Sequence, residues 1–145
     1  MRRRSIGIVI TLGALTALLL APSTEAAQRF ELAMTGAEEA PGPGDPDGTG
    51  TASFTFNRGL GEVCFSLEVE DILLPTIGAH IHVAPAGSPG PVVIPLTPPG
   101  ADGTSSGCVS ADRELVKAIT KDPASYYVNV HTTDFPGGAA RAQLG

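Results

Sequence analysis

The fold is decided by two short stretches, residues 79–83, which read AHIHV, and residues 127–132, which read YVNVHT. In both, apolar residues alternate with polar ones, and side chains two positions apart on a β-strand point to the same face. His80 and His82 therefore share one face of the first strand, and His131 lies on the polar face of the second. Pairing of the two strands would gather all three histidines of the protein on one patch of sheet. That patch is either a metal site or a ladder of hydrogen-bonded polar side chains.

The other segments predict further strands joined by tight turns. Residues 28–34, 51–57 and 62–70 alternate between apolar and polar side chains, and the turn Arg58-Gly59-Leu60-Gly61 makes the last two a β-hairpin. Beyond the first histidine strand we expect a short edge strand at 91–96, a loop at 97–107, a helix from an N-cap at Ser110 to about Lys121, and a last strand at 140–144. The pattern predicts an all-β fold, an antiparallel β-sandwich or barrel with one short helix.

The N-terminus predicts export. Three arginines at 2–4 precede an apolar run at 6–20, and small residues at 21–27 provide a cleavage region. We expect residues 1–26 to be a signal peptide and residues 27–145 to form a single domain. An apolar run of about 15 residues is short for a bilayer, so we expect no membrane span after cleavage. The protein should be secreted, periplasmic or held in the cell envelope.

The charge of the mature chain excludes some partners. Removing the three arginines and Glu25 changes the formal net charge from −6 to −8. An acidic domain of this kind is not expected to bind nucleic acid or an anionic membrane surface. About 119 residues remain, which is enough for one core and not for two domains.

The cysteines agree with export. Cys64 and Cys108 are the two cysteines of the chain, and an even number of cysteines in an exported protein favours a disulfide. Their wide separation shows none of the C-x-x-C chemistry of redox motifs.

Two motif-like stretches carry no predicted activity. Residues 103–107, GTSSG, match the G-x-S-x-G pattern of serine hydrolases, but they fall in a predicted loop of a small β-domain rather than at a strand-to-helix turn. Residues 45–48, DPDG, resemble the start of a calcium loop, yet the twelfth position would be Phe56 instead of an acid. We therefore expect no catalytic residue and no enzyme.

The histidines remain the candidate ligands. Neutral imidazole binds zinc and copper well, so His80, His82 and His131 are the candidate metal-binding residues. In the alternative, the imidazoles bond to Asn129, Thr132, Asp134 or backbone carbonyls and hold the strands in register. We expect no cofactor, and a copper or zinc site is the alternative.

Two polar residues near the C-terminus point toward the same patch. Arg141 and Gln143 alternate with apolar neighbours and could reach either the histidine face or Glu38 and Glu39 of the first loop. A structural ion pair is the preferred interpretation of Arg141, ahead of an anion-guiding role.

Several motifs together resemble the CHRD domain, the module repeated in chordin and found singly in exported bacterial proteins. They are AHIH at 79–82, AGSPGPVV at 86–93, YVNVHT at 127–132, FPGG at 135–138 and RAQL at 141–144. The resemblance implies an immunoglobulin-like β-sandwich and a non-catalytic role. It also marks four polar motif residues: Glu39, Asn129, Arg141 and Gln143. This chain has Ala84 where the family usually has glycine, and Ala139 where it has an acid.

A weaker likeness concerns Cu/Zn superoxide dismutase. A hairpin, His-x-His, a glycine-rich turn, a late histidine and a C-terminal arginine follow the same order, but the further copper and zinc ligands are missing. We therefore expect an exported CHRD-type binding or structural module, with a protein or an envelope ligand as its partner. The rival is a copper- or zinc-binding protein with a redox-related role. The sequence leaves the oligomeric state open.

Overall fold

The structure is a computed structural model that describes residues 27–145. The predicted signal peptide, residues 1–26, lies outside the described residues.

Eight strands and one short helix make up this part of the chain. They are β1 (Gln28–Thr35), β2 (Thr49–Asn57), β3 (Glu62–Glu70), β4 (Gly78–Val83), β5 (Val92–Leu96), β6 (Thr104–Ser110), α1 (Arg113–Lys121), β7 (Tyr126–His131) and β8 (Ala140–Gln143), with 3₁₀ turns at Gly36–Glu38 and Pro123–Ser125. The predicted all-β fold with one short helix is confirmed.

All eight strands belong to one antiparallel sheet in the order β5-β4-β7-β8-β1-β2-β3-β6. The N-terminal strands β1, β2 and β3 are neighbours, whereas β4 returns to pair with β7 at the other end. Since β1 pairs with β8, the two halves join at the centre of the sheet. The histidine strands lie in the half that contains the C-terminus.

The apolar faces of both halves meet in one core, so the sheet forms a sandwich or nearly closed barrel. Alternation along β2 and β3 buries Phe54, Phe56 and Leu67, while β4 and β7 contribute Ile81 and Val128 to the same cluster. Burial of such side chains contributes about 1.5–3 kcal/mol each. The core therefore fixes which face of β4 and β7 carries the polar residues.

Two local predictions were wrong. The segment predicted as a loop at 97–107 contains the first half of β6, because backbone pairing with β3 gives order to a stretch with few apolar side chains. The helix is capped by Asp112 rather than Ser110: the Asp112 carboxylate accepts hydrogen bonds from the backbone N–H groups of Glu114 and Leu115. Ser110 instead ends β6.

The predicted disulfide joins Cys64 to Cys108. These residues are direct cross-strand partners on β3 and β6, with their Cα atoms 3.9 Å apart. Strand β6 lies at the edge of the sheet and most of its residues are exposed. The disulfide therefore anchors a strand whose own packing is weak.

Replacing Cys64 and Cys108 together by serine should lower the free energy of unfolding by about 2–4 kcal/mol, because the unfolded chain regains the freedom of a long loop. The fold should be kept, since both residues lie outside the core. Denaturant unfolding followed by circular dichroism measures the loss, and Ser66→Ala with Ser106→Ala, the pair two residues along the same strands, is the matched control. Two free thiols in the mass spectrum of the exported protein would contradict the assignment.

Candidate functional site

The two histidine strands pair as predicted. In the antiparallel register of β4 and β7, His80 lies opposite Asn129, His82 opposite Tyr127, and Gly78 opposite His131. The ring centroids are 5.0 Å apart for His80 and His131, 5.5 Å for His80 and His82, and 6.2 Å for His82 and His131. One ring nitrogen of each histidine lies within 4.8 Å of the other two. We call these three residues the histidine cluster.

Gly78 makes room for the close approach of the rings. A Cβ atom at this position would lie 3.1 Å from Cε1 of His80 and 3.5 Å from Cδ2 of His131. The first distance is tighter than ordinary van der Waals contact. A side chain at 78 would therefore push His80 away from its neighbour.

His82 is held on two sides. Its Nδ1 lies 2.8 Å from the Gly90 carbonyl oxygen, and its ring stacks on Tyr127 at 4.7 Å with an interplanar angle of 8°. Because a carbonyl can only accept, Nδ1 carries the proton and Nε2 keeps its lone pair. That Nε2 is buried and has no partner among the described residues.

His131 faces two oxygens. Its Nδ1 lies 3.0 Å from the Pro136 carbonyl oxygen and its Nε2 lies 3.0 Å from Oδ1 of Asn129. A neutral imidazole has one N–H group and so can donate to only one of them. Burial, the largest effect, lowers the pKa of His131 from its usual range, and the charge of His82 lowers it further, against a raising effect of the Pro136 carbonyl.

His80 is the least supported member of the cluster. Its Nδ1 is buried without a partner. Burial lowers the pKa of His80, and the neighbouring His131 and His82 lower it further. Burial and mutual repulsion of positive charge therefore favour the neutral ring, which is the form that can bind a metal.

Arg141 on β8 continues the polar face beside the cluster. It is 1% exposed, and its guanidinium donates hydrogen bonds to the carbonyls of Pro85 and Ser88 and to Oε1 of Gln143, at 3.0–3.1 Å. Its Cζ atom lies 3.4 Å from the ring centroid of Tyr127, a cation–π contact. The planar fork of arginine thus ties the loop at 84–90 to the sheet.

Gln143 extends the same bracing. Its amide nitrogen donates to the carbonyls of Ala84 and Ala124, at 2.9 and 2.7 Å. The backbone N–H of Gly90 in turn donates to the Tyr127 hydroxyl. The bonds at Ala84 and Gly90 hold the loop that supplies the Gly90 carbonyl to His82, and the bond to Ala124 joins Gln143 to the 3₁₀ turn Pro123–Ser125.

Glu39 reaches the polar face from the loop after β1. Its carboxylate lies against Gly138, where a Cβ atom would approach within 2.3 Å of it, so the site requires glycine there. Burial is the main reason that the pKa of Glu39 is raised to about 7, against the lowering effects of a hydrogen bond with Asn129 and the charge of Arg141. Arg141 therefore acts on Glu39 through its charge, while its hydrogen bonds go to carbonyls and Gln143. Among the described residues no close ion pair joins Arg141 to Glu38 or Glu39, contrary to the preferred interpretation of Arg141 from the sequence.

A cavity of about 350 Å³ opens beside Arg141 and Glu39. It is lined by residues of the loops at 37–39 and 86–87 and by two residues of β8; these are Ala37, Glu38, Glu39, Ala86, Gly87, Arg141 and Gln143.

The structure places the sequence-predicted residues as follows. His80, His82, His131, Asn129, Arg141 and Gln143 share one face, with Glu39 beside them. Of the hydrogen-bond partners expected for the histidines, Asn129 and backbone carbonyls are present, whereas Thr132 receives the backbone N–H of Phe135. The sequence did not predict the role of Tyr127. It also did not predict the roles of the Gly90 and Pro136 carbonyls, because a backbone oxygen is present in every residue type and gives no signal in the sequence.

Four residues of the GTSSG motif, 104–107, lie in β6, and no part of the motif forms a strand-to-helix turn. Ser105, its central serine, donates a hydrogen bond to the Thr97 carbonyl at 2.7 Å. This hydrogen bond gives the Ser105 hydroxyl a structural role, linking β6 to the Thr97 backbone.

Comparison with known protein families gives a match to the CHRD domain over residues 30–144. The chain belongs to the CHRD domain family. The match covers the entire sheet except the first two residues of β1, so the histidine cluster and the polar face of β8 are part of the CHRD domain. Neither the comparison with curated proteins nor the comparison with solved structures gave a match.

Within residues 27–145, no helix of this CHRD domain is long and apolar enough to cross a membrane.

Changing Arg141 to alanine should lower the free energy of unfolding by about 3 kcal/mol or more, because it leaves the Pro85 and Ser88 carbonyls without their donor and removes a buried packed side chain. Arg141→Lys should recover only part of the loss, since an ammonium lacks the planar fork. Hydrogen exchange of residues 84–90 should rise in both variants. Equal exchange in the wild type and Arg141→Ala would contradict the bracing role.

Glu39→Gln should change how stability depends on pH. The folded pKa of about 7 lies above the ordinary value of 4.5, so the contribution of Glu39 is fully present below pH 4.5 and is lost as pH rises to about 7. The loss amounts to about 3 kcal/mol. The wild type should therefore lose stability relative to Glu39→Gln between these pH values, in a difference curve from denaturant unfolding. The exposed Glu38→Gln is the control, and parallel curves for Glu39→Gln and the wild type would contradict the assignment.

Proposed function

We propose that this protein is an exported CHRD module that acts by binding and not by catalysis, in the cell envelope or the extracellular space. The proposal rests on one observation: Arg141 and Gln143 on the polar face donate hydrogen bonds to main-chain carbonyls of neighbouring loops and turns. Arg141 and Gln143 both hold loops in place. These bonds fix the loop at 84–90, in which residues 85–87 and 89 are exposed, and an exposed loop held in one position suits recognition.

Membership of the CHRD family supports the same role, since the matched region accounts for nearly all of the described domain. The environment of Ser105 argues against hydrolase chemistry, because its hydroxyl donates to a backbone carbonyl and lies on an edge strand. A serine nucleophile needs a neighbouring base to accept its proton.

Export is supported by two independent features. The sequence of residues 1–26 has the basic, apolar and small-residue regions of a signal peptide. The disulfide between Cys64 and Cys108 is the form expected in an oxidising compartment.

Expression of the full chain in a bacterial host tests the proposal. We expect a periplasmic or secreted protein that begins at residue 27 and carries the closed disulfide, identified by the intact mass. The double change Leu18→Arg and Leu19→Arg interrupts the apolar run. It should keep the protein in the cytoplasm as an uncleaved chain that still begins at Met1. Ser23→Ala is the matched control and should be exported. Cytoplasmic retention of the unaltered chain would contradict export.

Binding is tested with the exported domain. Cross-linking in intact native cells should recover one recurrent, saturable partner with the wild type and less of it with Arg141→Ala, whose loop at 84–90 is released. Ser66→Ala, on the distant β3, is the control. Absence of a saturable partner would contradict the binding role.

A further inference from the structure

The ring nitrogens of the histidine cluster are unequally supplied with partners. Nδ1 of His80 and Nε2 of His82 are both buried and have none among the described residues. Leaving a buried polar nitrogen unpaired is unfavourable, so such atoms in folded proteins almost always have a protein, water or ion partner. A hydrogen-bonded ladder, the alternative interpretation of this patch, would have paired these atoms.

The environment of His82 selects one of its nitrogens as a ligand. The Gly90 carbonyl fixes the proton on Nδ1, so the lone pair lies on the unpartnered Nε2. Metal-binding histidines usually donate their other N–H group to a carbonyl or carboxylate in this way. The side chain is also 7% exposed and stacked on Tyr127, so its ring is held in one orientation.

His131 lies between two acceptors, the Pro136 carbonyl oxygen at Nδ1 and Oδ1 of Asn129 at Nε2. Because its neutral ring can donate to only one of them, the other oxygen faces a ring lone pair. Two facing acceptors at 3.0 Å repel each other unless a positive charge lies between or beside them. A bound cation would remove that conflict.

We propose that His80, His82 and His131 bind one zinc or copper ion. Three neutral imidazoles are the ligands that both metals accept. One ring nitrogen of each residue already lies within 4.8 Å of the others. Zinc–nitrogen bonds of about 2.0–2.1 Å require nitrogens about 3.4 Å apart, so small side-chain rotations close the site. A set of three histidines would leave a fourth coordination position open for water or another ligand.

Metal binding is a separate property from the partner binding proposed above, because it depends only on the three residues of the histidine cluster. A metal site also explains the glycine at position 78, because the lack of a side chain there lets His80 approach His131.

The test uses the mature, oxidised protein, purified without a polyhistidine tag and stripped of metal by a chelator. Titration calorimetry with zinc chloride and with copper(II) chloride should each give one ion per chain. Electron paramagnetic resonance of the copper form should show coordination by imidazole nitrogens. Metal analysis of protein exported from cells grown with both ions then shows which one it retains.

Two variants locate the site. His80→Gln removes one ligand without breaking a hydrogen bond to a protein group, and affinity should fall at least ~100-fold, more than the loss of an outer-shell partner. Gly78→Ala keeps all three histidines and displaces His80, so affinity should fall at least ~10-fold. Circular dichroism verifies that both variants are folded.

Glu62→Gln is the matched control. Glu62 lies beside the Cys64–Cys108 disulfide in the other group of possible ligand atoms in the described residues, but sulfurs joined in a disulfide are not thiolate ligands. Its affinity should equal that of the wild type. Less than one ion per chain in the wild type, equal affinity in His80→Gln, or loss of binding in Glu62→Gln would overturn the proposal.

Discussion

The antiparallel register between β4 and β7 is the constraint on which the rest of this structure depends. It places His80 opposite Asn129 and His82 opposite Tyr127, with Ile81 and Val128 on the core side. A slip of one residue would exchange the two faces of a strand. The polar side chains would then enter the core, so the hydrophobic effect that buries Ile81 and Val128 also holds the histidines together.

The second constraint is the covering of this polar face. Sheet faces that carry polar residues usually meet water, but here the loop at 84–90 and Glu39 lie over the face. Arg141 compensates for the burial by donating to loop carbonyls, and Gln143 adds two more such bonds. A low-dielectric surrounding strengthens each of these contacts. It also raises the pKa of Glu39 and lowers those of His80 and His131.

Sequence patterns predicted the elements that alternate strongly. The hairpin of β2 and β3, the two histidine strands and the disulfide followed from periodicity and cysteine count. Strand β6 was missed because TSSGCVS has little apolar alternation and depends on pairing with β3. The histidine cluster was predicted from strand periodicity. Its supports were not, because Gly90 and Pro136 act through backbone carbonyls whose positions only the folded loops determine.

Folding builds a fixed polar site in which His82 presents an unpaired Nε2. Nitrogen NMR of the imidazole rings tests it most directly, since it reports the protonation of each ring nitrogen. In the metal-free protein at pH 8, we expect His82 to carry its proton on Nδ1 and its Nε2 signal to change strongly when zinc is added. A proton on Nε2, or an Nε2 signal that zinc does not move, would show that His82 does not present this lone pair to a metal.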